Sequence, residues 1–159
     1  MPRPYVFDTN SVRVLGNYYP ERFPTFWNEL ENASQTGLVI STREVYNELE
    51  ALGNTPAWLW NWVQARRQLF PMPTSEEQAF VREIFDVAHF RALVGATQRL
   101  QGHPVADPFV IAAARVGGGS VVTEETFKPN AAKVPNVCQH FGIPYGTVED
   151  FLRQNNWTF

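Results

Sequence analysis

Asp8 stands directly after the apolar run Tyr5-Val6-Phe7 and opens the stretch Asp8-Thr9-Asn10-Ser11. A buried strand that stops at a carboxylate sets it at the carboxyl edge of a parallel sheet, where open α/β sheets bind their ligands. Three further acidic positions occur in comparable settings. Glu44 and Glu48 follow a second apolar run, Leu38-Val39-Ile40, and lie one helical turn apart, so they share a face. Asp107 leads an alanine-rich stretch, and Thr123-Glu124-Glu125 follows Val121-Val122. Carboxylates brought to one rim with few cations nearby repel one another unless a divalent metal joins them. Oxygen donors of this kind suit magnesium or manganese.

These positions meet only if the elements between them alternate. The pattern predicts strands at 4–7, 38–40, 120–123 and 143–145. Between the first two lie a short helix at 12–17 and a second that starts over 20–24. The latter carries Phe23, Phe26, Trp27 and Leu30 at helical spacing and ends at Gly37. Ser41 or Thr42 caps a helix at 43–52 that buries Val45, Leu49 and Leu52 and closes at Gly53. A helix over 56–70 holds Trp58, Trp60 and Trp62. Thr74-Ser75-Glu76-Glu77 resembles a capping box and opens a long helix with the stripe Phe80, Ile84, Val87 and Ala88, which Gly95 is expected to break. Asp107-Pro108 reads equally as an N-cap with Pro at the first helical position, opening a helix over 109–116 that Gly117-Gly118-Gly119 stops. A helix at 134–141 ends at Gly142, and Thr147 to Asp150 cap the last helix. Strands alternating with helices predict a parallel sheet covered on both faces. All 159 residues form one domain, with roughly 54–102 as a helical insert or crossover.

With 44% hydrophobic and 18% charged residues the chain is an ordinary globular sequence. No apolar stretch approaches the roughly 20 residues of a membrane helix, and Met1-Pro2-Arg3-Pro4 leads straight into the first strand without a secretory segment. Cys138, the single cysteine, suits a reducing compartment, so a cytoplasmic location is expected. A net charge of -3 argues against a binder that relies on a basic surface, though not against a nuclease, because divalent cations reverse the charge of a carboxylate site. His89, His103 and His140 hold no zinc spacing with Cys138.

Taken in order, four motifs resemble those of the PIN domain, the metal-dependent nuclease family that includes the VapC-like ribonuclease toxins. They are Asp8-Thr9-Asn10-Ser11 after a strand, Val45-Tyr46-Asn47-Glu48-Leu49, Asp107 ahead of Ile111-Ala112-Ala113, and Val121-Val122-Thr123-Glu124-Glu125. The resemblance covers nearly the whole chain. It implies a three-layer α/β/α sandwich and hydrolysis of phosphodiester bonds in single-stranded RNA with Mg2+ or Mn2+. It implies Asp8, Glu48, Asp107 and Glu125 as the catalytic, metal-holding acids, Glu48 rather than Glu44, with Glu124 a competitor of Glu125. Asp8 and Asp107 are direct ligands in this reading. Glu48 binds metal or holds the attacking water, and Glu125 completes a second site. Asn10 and Thr123 orient carboxylates or waters. A partner antitoxin and a homodimer follow from the same likeness.

Among possible substrate contacts, Lys128 and Lys133 rank first for their closeness in sequence to the acids. Trp60 is expected to be exposed for base stacking, whereas Trp58 and Trp62, at i and i+4, read as packing residues. A phosphatase of the haloacid dehalogenase type also starts with a strand ending in Asp, but its second Asp is replaced here by Asn10. The alternative from another class is a catalytically silent PIN-like module that binds RNA or protein, suggested by Glu at 125 where the family more usually has Asp.

Overall fold

A computed structural model describes residues 3–94 and 105–159, so Gly95, His103 and the end of the expected insert lie outside the described residues. Its centre is an all-parallel sheet of β1 (Tyr5–Phe7), β2 (Val39–Ile40), β3 (Ser120–Val122) and β4 (Tyr145–Gly146), in the order β2-β1-β3-β4. Val6 and Val121 are completely buried, as parallel strands covered on both faces require. The helices are α1 (Thr9–Val14), α2 (Pro24–Thr36), α3 (Arg43–Leu52), α4 (Ala57–Gln64), α5 (Ser75–Asp86), α6 (Asp107–Gly117), α7 (Val134–Phe141) and α8 (Val148–Gln154). They flank the sheet in a three-layer α/β/α sandwich.

α6 lies on β1 and β3, with α5 packed against it. Its small side chains Ala112, Ala113 and Ala114 are all buried, which lets a helix approach the sheet closely. On α8, Phe151 meets Phe7 edge-on at 5.4 Å between ring centres. From β2, at one edge, the chain passes through α3, α4 and α5 before it returns to β3 on the other side of β1. The described residues between 54 and 94 hold helices and 3-10 turns only.

The expected boundaries shift where a backbone partner overrides the local pattern. α1 starts at Thr9 because Asp8 caps it, and α2 starts at Pro24 because the amides of Arg22 and Phe23 are spent on the Tyr19 carbonyl. The tryptophan helix stops at Gln64 and a 3-10 turn, Arg67–Leu69, follows. The carbonyls of Leu69 and Pro71 then accept hydrogen bonds from the amides of Ser41 and Arg43, which holds the chain extended beside the start of α3. α5 ends at Asp86, so Val87 and Ala88 fall outside its stripe, and a 3-10 turn over Ala88–Leu93 carries Phe90 into the core. Ala106, not Asp107, is the cap of α6, and Asp107 is its first helical residue. β4 pairs at Tyr145 and Gly146, because the Ile143 amide is used by the Cys138 carbonyl to close α7.

Trp58 and Trp62 both pack edge-on against Trp27, at 5.5 and 5.3 Å. Trp60 is not the exposed residue expected: it is half-buried on the Tyr46 ring, 5.1 Å away. Cys138 is fully buried, and burial pushes its thiol up to about 12. Among the described residues no helix is long and apolar enough to cross a membrane.

Candidate metal centre

Phe7 pairs with Val122 in the β1–β3 ladder, so Asp8 and Thr123 are the next residues along two neighbouring strands, at the carboxyl rim. The Asp8 amide extends the ladder to the Val122 carbonyl at 3.0 Å, and the Thr123 amide reaches the Gly146 carbonyl at 2.8 Å. Two hydroxyls tie off the same rim. Ser11 Oγ donates to the Val122 carbonyl at 2.9 Å and Ser41 Oγ to the Phe7 carbonyl at 2.7 Å. Asp8 is 3% exposed and serves as the N-cap of α1, its Oδ1 accepting from the Ser11 amide at 2.8 Å. A cap bond uses one carboxylate oxygen, so capping and ligation are compatible.

Glu48 is carried to this rim by α3 and Asp107 by α6. Glu48 Oε2 accepts from the Ala106 amide at 3.1 Å, immediately before Asp107. Glu125 Oε2 accepts from the Val134 amide at 3.0 Å at the start of α7, and the Glu125 amide donates to Thr123 Oγ1 at 3.1 Å. Asp8, Glu48 and Glu125 thus lie within electrostatic reach of Asp107 at one rim. Burial pushes Asp107 up to about 8, and the charges of Glu125, Asp8 and Glu48 all act in the same direction. Burial also raises Asp8, opposed by hydrogen bonds from Thr123 and Ser11, with the charge of Glu125 adding to the rise.

The two members of each ambiguous pair stand in different surroundings. Glu44 stands with Glu77, whose charge adds to the rise that burial causes in it, and its Oε2 is buried without a partner. Glu124 Oε1 caps the start of α8 by accepting from the Val148 amide at 2.9 Å. Thr123 is fully buried at the rim, whereas Asn10 is exposed on the first turn of α1. Lys128 and Lys133 are exposed on the loop over 123–133 that also carries Glu125. Trp60 is set on Tyr46 with Leu49 and Gly53 nearby. Arg66 and Arg67 are engaged in packing, over Trp62 and Tyr46.

The sequence assigns no role to Ser11 or to the amides of Ala106 and Val134, and offers Ser41 only as a helix cap, a place that Thr42 takes. The backbone amides have no side-chain signature.

Among the described residues no three acidic, histidine or cysteine side chains stand close enough to hold a metal ion as they are arranged. The donor set nonetheless fits a hard divalent cation. It consists of oxygens alone, and the ion pairs seen among the described residues, at Arg66 and Arg153, involve none of the four acids. Thr9 Oγ1, next to Asp8, is buried with no hydrogen-bond partner. Glu48 and Glu125 each engage one oxygen with an amide, and their flexible arms can turn toward Asp107.

No curated protein and no solved structure matches the chain. A family model described as a domain of unknown function, DUF4411, matches residues 5–159, and the chain belongs to that family.

Proposed function

We propose that this protein is a metal-dependent endoribonuclease that cuts single-stranded RNA in the cytoplasm, as the toxin of a toxin–antitoxin pair. The observation that carries the nuclease reading is Asp107, half-buried within reach of the charges of Asp8, Glu48 and Glu125 at the carboxyl rim of a parallel sheet. Such a group of acids is unfavourable by itself and is relieved by a divalent cation. The choice of RNA, and of an antitoxin as partner, rests on the resemblance of the four motifs to the PIN domain.

A bound magnesium or manganese ion supplies charge neutralisation and Lewis acidity toward the phosphodiester. Asp8 and Asp107 would hold it from β1 and α6. Glu48, released from the Ala106 amide, accepts a proton from the attacking water. Glu125 and Thr123 keep the β3 end of the site in place, and Lys128 and Lys133 meet phosphates of the bound strand.

Cleavage of a labelled single-stranded RNA tests this, with manganese, magnesium or excess chelator, in the native chain and in Asp8→Asn and Asp107→Asn. Metal-dependent cutting that both substitutions abolish is the expected result. Equal cutting by all three preparations would refute it. The Glu125–Val134 hydrogen bond favours one second reading, a silent RNA- or protein-binding module in which Glu125 serves only to cap α7. Metal binding without turnover supports that reading.

A further inference from the structure

The loop over 123–133, which carries Glu125, also forms one wall of an open groove of about 670 Å³. The other walls are α7 and the 3-10 turn Ala88–Leu93. Phe127 lines the groove and is 44% exposed, so its ring is open to a ligand there. It follows Glu125 by two residues, so their Cα atoms are at most about 7 Å apart. Beneath the loop, Asn136 is 8% exposed and donates its side-chain N–H to the Lys128 carbonyl at 2.7 Å. That bond holds the loop and fixes the amide, and Asn136 Oδ1 is left buried with no partner. A buried acceptor without a donor is costly, so a ligand N–H that reaches it gains more than one bonding to exposed groups.

The remaining lining has a consistent chemistry. Gln139 and Asn130 add amides, His89 and His140 add imidazoles, and among the described residues none that lines the groove is acidic. An exposed aromatic ring beside amide donors and acceptors is what an unstacked nucleobase meets in single-stranded RNA recognition. Exposed Lys128 on the same loop favours the phosphate chain that connects this groove to the carboxylates.

We infer that the groove is a base-binding subsite for single-stranded RNA, adjacent to the phosphodiester presented to Asp8 and Asp107. The base stacks on Phe127, and its edge faces the Asn136 and Gln139 amides. The inference rests on the nuclease reading above and adds to it where the substrate is gripped.

A fluorescently labelled, mixed-sequence single-stranded RNA separates the two. Binding is measured by anisotropy in chelator and cleavage in manganese, for the native chain, Phe127→Ala, Phe127→Trp and Gln139→Ala. Phe127 is exposed, so its removal leaves folding intact. The expected result is roughly 5- to 20-fold weaker binding by Phe127→Ala, full binding by Phe127→Trp, and a raised KM with unchanged kcat. If the native chain cuts and Phe127→Ala binds and cuts equally well, the groove is wrong and the nuclease reading stands. If nothing cuts but Phe127→Ala still weakens binding, the subsite stands and the nuclease reading falls. If the native chain neither binds nor cuts this RNA, both fall.

Discussion

Glu48 accepts a hydrogen bond from the amide of Ala106 across 58 residues of sequence, at 3.1 Å. The bond joins the middle of α3 to the residue that precedes Asp107, and so sets the distance between two of the four acids. It also holds the start of α6, whose cap residue, Ala106, has no polar side chain to make a cap bond.

Glu48→Gln keeps an acceptor for that amide but loses the charge, so the fold survives and catalysis does not. The expected loss of cleavage is about 100-fold or more, within the range for removing a general base. Glu48→Ala also orphans the Ala106 amide and costs about 1–2 kcal/mol of stability in chelator. Urea unfolding of both variants checks the contrast; equal stability of the two would mean that the hydrogen bond contributes nothing.

Asp107 makes stability depend on pH in a definite direction. Burial, aided by the charges of Glu125, Asp8 and Glu48, pushes it from 3.8 up to about 8, so the folded chain retains a proton that the unfolded chain releases from about pH 4. That contribution is full below the unfolded value and is lost as pH rises toward 8. In chelator the melting temperature should therefore fall between about pH 5 and 8. Asp107→Asn lessens the slope, leaving the part due to Asp8 and Glu44, and raises the melting temperature near neutrality by several degrees. The same slope in native and variant chains would show that Asp107 ionises normally.

Divalent cations should reverse that loss. A ligand at 100 times its Kd stabilises by about 2.7 kcal/mol, or roughly 5–10 °C for a domain of this length. Thermal melts in manganese or magnesium are expected to show the gain in the native chain, most strongly near pH 8. Asp8→Asn and Asp107→Asn should lose most of it. A gain retained by both variants would place the cation elsewhere.

The rim was readable in the sequence to the extent that it depends on strand ends. Asp8 and Thr123 each follow an apolar run, and the parallel register makes them neighbours. The choice between Glu44 and Glu48 was not readable from helical period alone, since both lie on one face of α3. Their surroundings differ through contacts distant in sequence, the Ala106 amide at Glu48 and the charge of Glu77 near Glu44. Glu124 and Glu125 divide for a similar reason, each serving the start of a different helix. Trp60 misled because its spacing turns it away from Trp58 and Trp62, while Tyr46, on another helix, covers it. The tryptophan helix is shorter than its pattern suggests because a 3-10 turn at Arg67–Leu69 follows it. The bonds from Ser41 and Arg43 that hold the chain there come from residues distant in sequence.

Gly119 tests how the sheet holds the site. The Ser120 amide donates to the Pro4 carbonyl at 2.9 Å, which starts the β1–β3 ladder that places Asp8 beside Thr123. A Cβ at Gly119 would lie 1.9 Å from that carbonyl oxygen, a backbone atom that cannot move without shifting β1. Gly37 is a useful contrast: its φ of +80° favours glycine, but nothing lies within 4 Å of an added Cβ. Gly37→Ala should therefore cost only the left-handed strain, about 1–2 kcal/mol. Gly119→Ala should cost about 3 kcal/mol or more, as a forced backbone displacement in a packed core does. Urea unfolding ranks the two. Because β1 carries Asp8, any folded Gly119→Ala should also lose metal-induced stabilisation, whereas Gly37→Ala keeps it. Equal costs for the two would mean that β1 and β3 can part without disturbing the fold, and the account of how Asp8 is positioned would fail.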